Sequence, residues 1–195
     1  MIQFLNRSST TTLQRYNATT NKKGFTLIEL MVVMAILGIL AGMIGMISGS
    51  ARQKGRDARR KADLNQMAKA MEFYFNDNAS YPGDNGGSGQ MYACGATGDS
   101  LCDWGEEFAN PNGTVYMAEL PKDPAGAQHY FYFVTADGLS YQLYTRVENE
   151  NDSQINHNAQ EQPLYYSDTD CGAGLCNYGV SSPGYRLDAG RTLAP

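Results

Sequence analysis

The chain has 195 residues, a net charge of −5 and a mean hydropathy of −0.43, with 42% hydrophobic and 18% charged residues. This composition excludes a disordered polyelectrolyte and a polytopic membrane protein, and the length suits about one domain. The sequence pI near 5.0 argues against a general nucleic-acid-binding protein, so we infer no specific nucleic-acid partner.

Charge is distributed very unevenly along the chain. Residues 1–24 carry four bases and no acid, and residues 25–51 carry one charged side chain, Glu29. Residues 52–61, here called the basic collar, carry six bases and one acid. From residue 62 onward there are 18 acids and 5 bases. The order is therefore a basic leader, an apolar segment, the basic collar and an acidic body.

The apolar segment, residues 25–47, has 23 residues and reads FTLIELMVVMAILGILAGMIGMI. A helix rises about 1.5 Å per residue, so this length can cross a hydrocarbon layer of about 30 Å. The core of a secretory signal is shorter, at about 7–15 residues. The pattern predicts a transmembrane helix, although the small residues before Ala51 leave cleavage of a signal peptide there as an alternative.

Glu29 is the one carboxylate in the apolar segment, and such a group needs a partner or a neutral form. One interpretation is that Glu29 lies near the membrane edge and reaches water. A second follows from its position after Gly24. If the chain were cut after Gly24, Phe25 would carry a new α-amino group. A neighbouring copy shifted along the helix axis could then place its amine on Glu29, and the pair would be satisfied only in an assembly.

The residues around this point read KKGFTLIEL, with Lys22 and Lys23 directly before Gly24. This stretch resembles the class III leader of type IV pilins and type II secretion pseudopilins. The resemblance implies that a membrane aspartyl protease, the prepilin peptidase, cuts after Gly24 and methylates the amino group of Phe25. It also implies that Glu29 is the assembly carboxylate.

The resemblance implies an α+β fold, in which a long N-terminal helical stem packs on a small antiparallel β-sheet head. The basic leader favours a cytoplasmic leader, whereas the basic collar has more bases and favours the opposite orientation. The resemblance decides for the leader, because the processing site of this family faces a cytoplasmic peptidase. It implies a single pass through the inner membrane and an extracytoplasmic head. We predict five segments: residues 1–24 are a leader that is removed, 25–47 the transmembrane and assembly helix, 48–80 an amphipathic helix packing on the head, 81–116 a disulfide-bearing loop region, and 117–195 a β-sheet head with a C-terminal loop.

The stem is predicted to continue as one helix to about residue 78. Its apolar side chains follow the i, i+3, i+4, i+7 spacing of a helix face, and Pro82 with the glycines after it ends the pattern. We expect this face to hold a sheet against the helix. The apolar positions are Leu64, Met67, Ala68, Met71 and Phe75.

The head contains two aromatic and β-branched runs, 129–134 and 140–147, separated by an Asp-Gly turn. This pattern predicts a β-hairpin. The preceding LPKDPAG resembles the turn that leads into the sheet of major pseudopilins, with Ala125 where that family commonly has Trp. Residues 180–195 are rich in Ser, Gly and Pro, and we expect them to be poorly ordered.

Four cysteines lie in glycine-rich loops, with spacings that fit zinc poorly. An extracytoplasmic head favours disulfides. Four cysteines allow three connectivities. We predict the local pairs Cys94–Cys102 and Cys171–Cys176.

No cofactor is required by this interpretation. Calcium is a candidate, since major pseudopilins bind it in a C-terminal loop and Asp168 and Asp170 supply oxygen ligands there. His129 lies in a predicted strand and His157 in a polar loop, and neither has a catalytic motif around it. We therefore predict no catalytic residue and no enzyme.

The resemblance implies a structural subunit of a type II secretion pseudopilus. Its partners would be prepilin peptidase, copies of itself in a helical filament, other pilin-like subunits, membrane lipid, and an inner-membrane assembly platform with a cytoplasmic ATPase. The filament would lie in the periplasm or at the cell surface. Two alternatives stay open: a type IV pilin of a surface pilus used in adhesion, motility or DNA uptake, and a monomeric membrane-anchored binding module.

Overall fold

The computed structural model of the chain describes residues 24–95 and 100–195, and within the first range it does not describe the side chains of residues 43–48. The predicted leader, including Lys22 and Lys23, lies outside the described residues. The chain divides into two compact units at Met46/Ile47. Each unit is described by itself.

A single helix, α1, comprises Leu27–Asn78 and has 52 residues. Its bounds agree with the helix predicted from the sequence over 25–78. Among the residues that the structure describes, no helix meets the length and apolar content needed to cross a membrane. The first unit contains α1 as far as Met46, and every described side chain from 24 to 42 is exposed.

In its described residues, the second unit, Ile47–Pro195, contains the rest of α1 and nine short strands. The strands form one three-stranded sheet and three two-stranded sheets, all antiparallel. The predicted α+β class is confirmed. The strands are β1 (Tyr92–Cys94), β2 (Ser100–Leu101), β3 (Phe108–Ala109), β4 (Val115–Met117), β5 (Phe131–Val134), β6 (Tyr141–Thr145), β7 (Tyr165–Tyr166), β8 (Tyr178–Ser181) and β9 (Leu193–Ala194).

The predicted hairpin is confirmed as β5 and β6, which pair from Phe131↔Tyr144 to Val134↔Tyr141. Gly138 closes the turn at φ = 69°, a backbone conformation that glycine adopts without strain. Strand β8 pairs with the other edge of β6, so β6 is the central strand. All five side chains of β6 are buried.

The core lies between the inner face of α1 and the central sheet. The predicted stem positions Leu64, Met67 and Met71 are fully buried, whereas Ala68 and Phe75 are partly buried at its edge. Aromatic side chains fill most of the space opposite the helix, because each ring buries a large apolar area. The sheet contributes Tyr132, Tyr141 and Leu143, and Tyr130 packs beside them from the position directly before β5.

Two expectations for the head are corrected. Residues 81–116 are not all loop, since they contain β1–β4, and the disulfide-linked Cys94 and Cys102 lie in the buried core. Residues 180–195 are ordered by pairing: Ser181 ends β8 in the central sheet, and Leu193 in β9 pairs with Tyr166. Turn-forming composition revealed the turns between these strands but not the pairing partners, which for β8 and β9 come from distant parts of the chain.

Candidate functional site

The first turn of α1 contains a reciprocal cap between Thr26 and Glu29. The Thr26 backbone N–H and hydroxyl each donate to Glu29 Oε2 at 2.8 Å, and the Glu29 N–H donates to Thr26 Oγ1 at 3.3 Å. This is the capping box of a Thr at the N-cap and a Glu three residues later, which satisfies backbone donors that a helix start leaves free. Glu29 therefore has a hydrogen-bond partner within its own chain.

The surroundings of this cap are apolar and uncovered. The side chain of Phe25 is 90% exposed, and Phe25, Ile28, Val32 and Val33 line a shallow groove beside Glu29. Leucine, isoleucine, valine and methionine side chains are exposed on all sides of the helix from residue 27 to 40. A helix that is apolar all round needs cover from lipid or from other protein.

Gly24 and Phe25, the predicted processing residues, are exposed and lie just before the helix, outside any regular secondary structure. A Cβ added to Gly24 would meet nothing within 4 Å. The bond between these two residues is therefore accessible in the described chain. The contribution predicted for Lys22 and Lys23 lies outside the described residues and stays a prediction.

A second polar cluster joins α1 to the head. Arg60 is fully buried, and its guanidinium donates to Asp123 through Nε at 2.7 Å and Nη2 at 2.9 Å. Its Nη1 lies 2.8 Å from Asp57 Oδ1 and 2.7 Å from Glu148 Oε1. Asp57 also accepts the backbone N–H groups of Glu148 and Asn149, both at 2.9 Å. The cluster ties the helix to two head loops.

Electrostatics favour the charged forms in this cluster. Burial alone would disfavour the cation, but hydrogen bonds to Asp123, Glu148 and Asp57 outweigh it and raise the pKa of Arg60. Hydrogen bonds from Arg56 and Arg60 lower the pKa of Glu148 to about 2. The predicted LPKDPAG turn thus has a structural role, because its Asp123 carboxylate is the main anchor for the buried arginine.

Three bases of the basic collar form ion pairs within their own chain. Arg56 and Arg60 pair with Glu148, and Lys61 Nζ lies 2.7 Å from Asp152 Oδ2. Their acidic partners belong to the head of the same chain.

The cysteines form the predicted local pairs, Cys94–Cys102 and Cys171–Cys176. Each bridge closes a short loop, and all four cysteines are buried. Disulfides supplement the small hydrophobic core of such loops.

Asp168 and Asp170, the candidate calcium ligands, are both exposed, and Asp170 accepts the Gly172 N–H at 2.8 Å. Within the described ranges, no group of three or more His, Cys, Asp or Glu side chains is placed to hold a metal. Calcium binding stays a prediction. His129 and His157 lie apart: the His129 N–H bonds to a head loop, and the His157 ring bonds to a backbone carbonyl at 2.7 Å.

Comparison with known proteins places these features in a family. Residues 19–45 match the family model described as the prokaryotic N-terminal methylation motif. The chain is 32% identical over 124 residues to the type II secretion system core protein G of Pseudomonas aeruginosa, covering 64% of this chain and 82% of that protein. The chain belongs to the pilin and pseudopilin family. No solved structure matches it.

Two further relatives show the range of this family. The type II secretion system core protein G of Escherichia coli K12 is 32% identical over 109 residues, which is 56% of this pilin-like chain and 70% of that protein. The type IV wide pilus major component of Thermus thermophilus is 46% identical over 61 residues, which is 31% of this chain and 47% of that protein. The similarity therefore extends to both secretion and pilus subunits.

Several residues of the site were not predicted from the sequence. The Thr26-x-x-Glu29 spacing is a recognisable capping-box signal. The i, i+3 pair Asp57 and Arg60 was also visible as a helix-surface pair. No sequence signal linked Arg60 to Asp123 or Glu148, because these contacts join segments more than 60 residues apart.

Proposed function

We propose that this chain is a structural subunit of a type II secretion pseudopilus. Prepilin peptidase cleaves between Gly24 and Phe25 and methylates the new amino group. The processed chain is held in the inner membrane by residues 25–47 with its head outside, and a platform with a cytoplasmic ATPase extracts it into a filament. The chain contributes packing surfaces to this process and no catalytic group.

The observation that carries the proposal is the similarity to core protein G over 82% of the Pseudomonas relative. The uncovered apolar helix start supports it, since residues 25–42 need lipid before assembly and neighbouring helices after it. A monomeric anchored module would need the lipid contact but gives no reason for an accessible Gly24–Phe25 bond.

The cap suggests how Glu29 is accommodated before assembly. In the isolated chain, Thr26 satisfies one carboxylate oxygen through two hydrogen bonds, which lowers the cost of holding a carboxylate beside apolar side chains. After cleavage, the α-amino group of Phe25 on a neighbouring copy supplies the cation. Glu29 thus exchanges a neutral partner within its own chain for a charged partner in the filament.

A surface pilus is the second candidate, and one observation favours it: the 46% identity to the Thermus pilus component over 61 residues. The two functions separate genetically. Deleting the gene of a pseudopilin should abolish export of secreted enzymes, whereas deleting a pilin should remove surface filaments and leave export intact.

Intact mass of the protein from native membranes, without reductant, tests processing. We expect the mass of residues 25–195 plus one methyl group, minus four hydrogens for the two disulfides. A full-length chain, or a chain starting at Ala51, would contradict the proposal and favour the plain anchor or a secreted module.

Glu29→Gln separates the charge from the cap. Glutamine at this position can still serve a capping box, so the helix start should be preserved. We expect normal cleavage by mass spectrometry and loss of filaments by electron microscopy, because the neighbouring amine loses its anion. Thr26→Val is the matched variant that removes the hydroxyl and keeps the charge. Filaments of normal abundance from Glu29→Gln would refute the role of the charge.

A further inference from the structure

The outer face of α1 in the second unit carries a continuous exposed stripe. Its positions alternate three and four residues apart over 25 residues, and a helix keeps such positions on one side with a drift of about 20° per heptad. The buried positions, such as Leu64 and Met71, lie on the other side. All members of the outer stripe are exposed: Arg52, Gly55, Arg59, Ala62, Gln66, Lys69, Phe73 and Asn76.

The outer stripe is basic, and its charge is not neutralised by the head. It carries Arg52, Arg59 and Lys69 and no acid. In the described part of the chain, no carboxylate lies within 4.0 Å of Arg52 or Lys69. Arg59 has a long 3.8 Å contact with Asp63, whose carboxylate already accepts the Tyr130 hydroxyl at 2.6 Å. The head therefore pairs with inner bases, and Arg52 and Lys69 on the outer stripe have no acidic partner in the described part of the chain.

The head carries the complementary charge, with 15 acids and 4 bases over residues 79–195. Its densest exposed group, here called the acidic segment, consists of Asp103, Glu106, Glu107 and Glu119. The Leu120 N–H donates to the Glu106 carbonyl at 2.7 Å, which brings the two parts of the segment together. Among the described residues, none of the four carboxylates is in an ion pair.

Among the described residues, no ion pair joins the outer stripe to the acidic segment within one copy. The acidic segment lies on the core side of α1, because Trp104 packs edge-on against Tyr130 at 5.5 Å and Phe108 stacks on Tyr74 at 5.4 Å. The outer stripe faces the opposite way. Two complementary patches on different sides of one subunit make a head-to-tail contact, which continues from copy to copy and builds a filament when it does not close.

We propose that the outer stripe of one copy docks on the acidic segment of another copy of this chain. This interface rests on the proposed function, and it adds a head-level contact to the packing of the N-terminal helices. Phe73, 65% exposed, is the large apolar group within the stripe, and Val115, 49% exposed, pairs with Ala109 beside the acidic segment. Charge complementarity around an apolar contact sets the register of such an interface.

Charge reversal with rescue tests the interface in the native host. We expect Lys69→Glu to be inserted and processed normally but to lower filament yield about tenfold or more, because it places an acid against acids. Adding Glu106→Lys and Glu107→Lys should restore the yield. Lys54→Glu, an exposed base off the stripe, is the matched control and should stay within about twofold of wild type.

Carbodiimide coupling of purified filaments gives a direct readout, since it joins a lysine amine to a carboxylate in contact with it. We expect peptides linking Lys69 to Glu106, Glu107 or Glu119 in filaments and none in detergent-dispersed monomer. Wild-type yield from Lys69→Glu, or coupling of Lys69 only to other carboxylates, overturns the inference and leaves the proposed function standing. Failure of the wild-type chain to form any filament refutes the proposed function itself.

Discussion

Replacing Arg60 by methionine should destabilise the head strongly, because this buried guanidinium contacts three carboxylates at once. Arg60 is 0% exposed, and it contacts Asp123, Asp57 and Glu148 at 2.7–2.9 Å. Methionine fills a similar volume, so the change removes charge and hydrogen bonds more than packing.

The loss of stability depends on which hydrogen-bond donors each carboxylate keeps once Arg60 is gone. Asp57 retains two backbone N–H donors, Asp123 retains the Ala125 N–H at 2.7 Å, and Glu148 retains Arg56. Removing one partner from a buried ion pair costs about 3–5 kcal/mol, because the other charge stays buried without compensation. For a chain of this size that corresponds to a fall in Tm of about 6–20 °C.

Arg56→Met is the matched control. Arg56 is one turn away on the same helix and shares the partner Glu148, but its side chain is 37% exposed. An exposed pair contributes only about 0–1 kcal/mol. Thermal melts of the full chain in detergent, followed by near-ultraviolet circular dichroism of the aromatic core, measure both variants. If Arg60→Met and Arg56→Met lowered the Tm by equal and small amounts, the argument that burial makes Arg60 essential would be refuted.

Two other predictions concern the head. The pKa of Glu148 is lowered to about 2 by Arg56 and Arg60, so its contribution to stability is complete above pH 4.5 and is lost as the pH falls toward 2. The difference in urea midpoint between wild type and Glu148→Gln should therefore shrink from pH 6 to pH 2.5, and a constant difference would contradict this. Gly89→Ala should lower the free energy of unfolding in urea by about 2–4 kcal/mol, because Gly89 has φ = +76° and the new Cβ would lie 2.4 Å from the Phe131 ring. Gly86→Ala, at φ +57° with open space around it, should cost about 1 kcal/mol, and equal losses would show that the Phe131 contact is unimportant.

The sequence predicted the parts of the fold that depend on neighbours along the chain. The span of α1, its buried face at Leu64, Met67 and Met71, and the β5–β6 hairpin each follow from periodicity or turn chemistry within a few residues. The two disulfides were also predicted from local spacing, since each joins cysteines fewer than ten positions apart. The family was also visible from the short motif around Gly24, because that motif is specific.

Contacts between distant segments could not be predicted. In the sequence, Arg59 and Arg60 are adjacent members of the basic collar, and no pattern shows that their environments differ. In the fold, Arg60 faces the core and binds Asp123, whereas Arg59 faces outward. The pairing of β8 with β6, which orders the C-terminal residues, likewise depends on a partner more than 30 positions away.

Charge, hydropathy and motif thus predict the main features of this pilin-like chain: a long helix with an apolar start and an acidic head. Local interactions suffice for that, because helix periods, caps and turns are set by the next three or four residues. Only the tertiary structure decides which charges are neutralised within the subunit and which are left for a neighbour. Burial against the sheet selects Arg60 for the core, and the same packing leaves Lys69 facing outward.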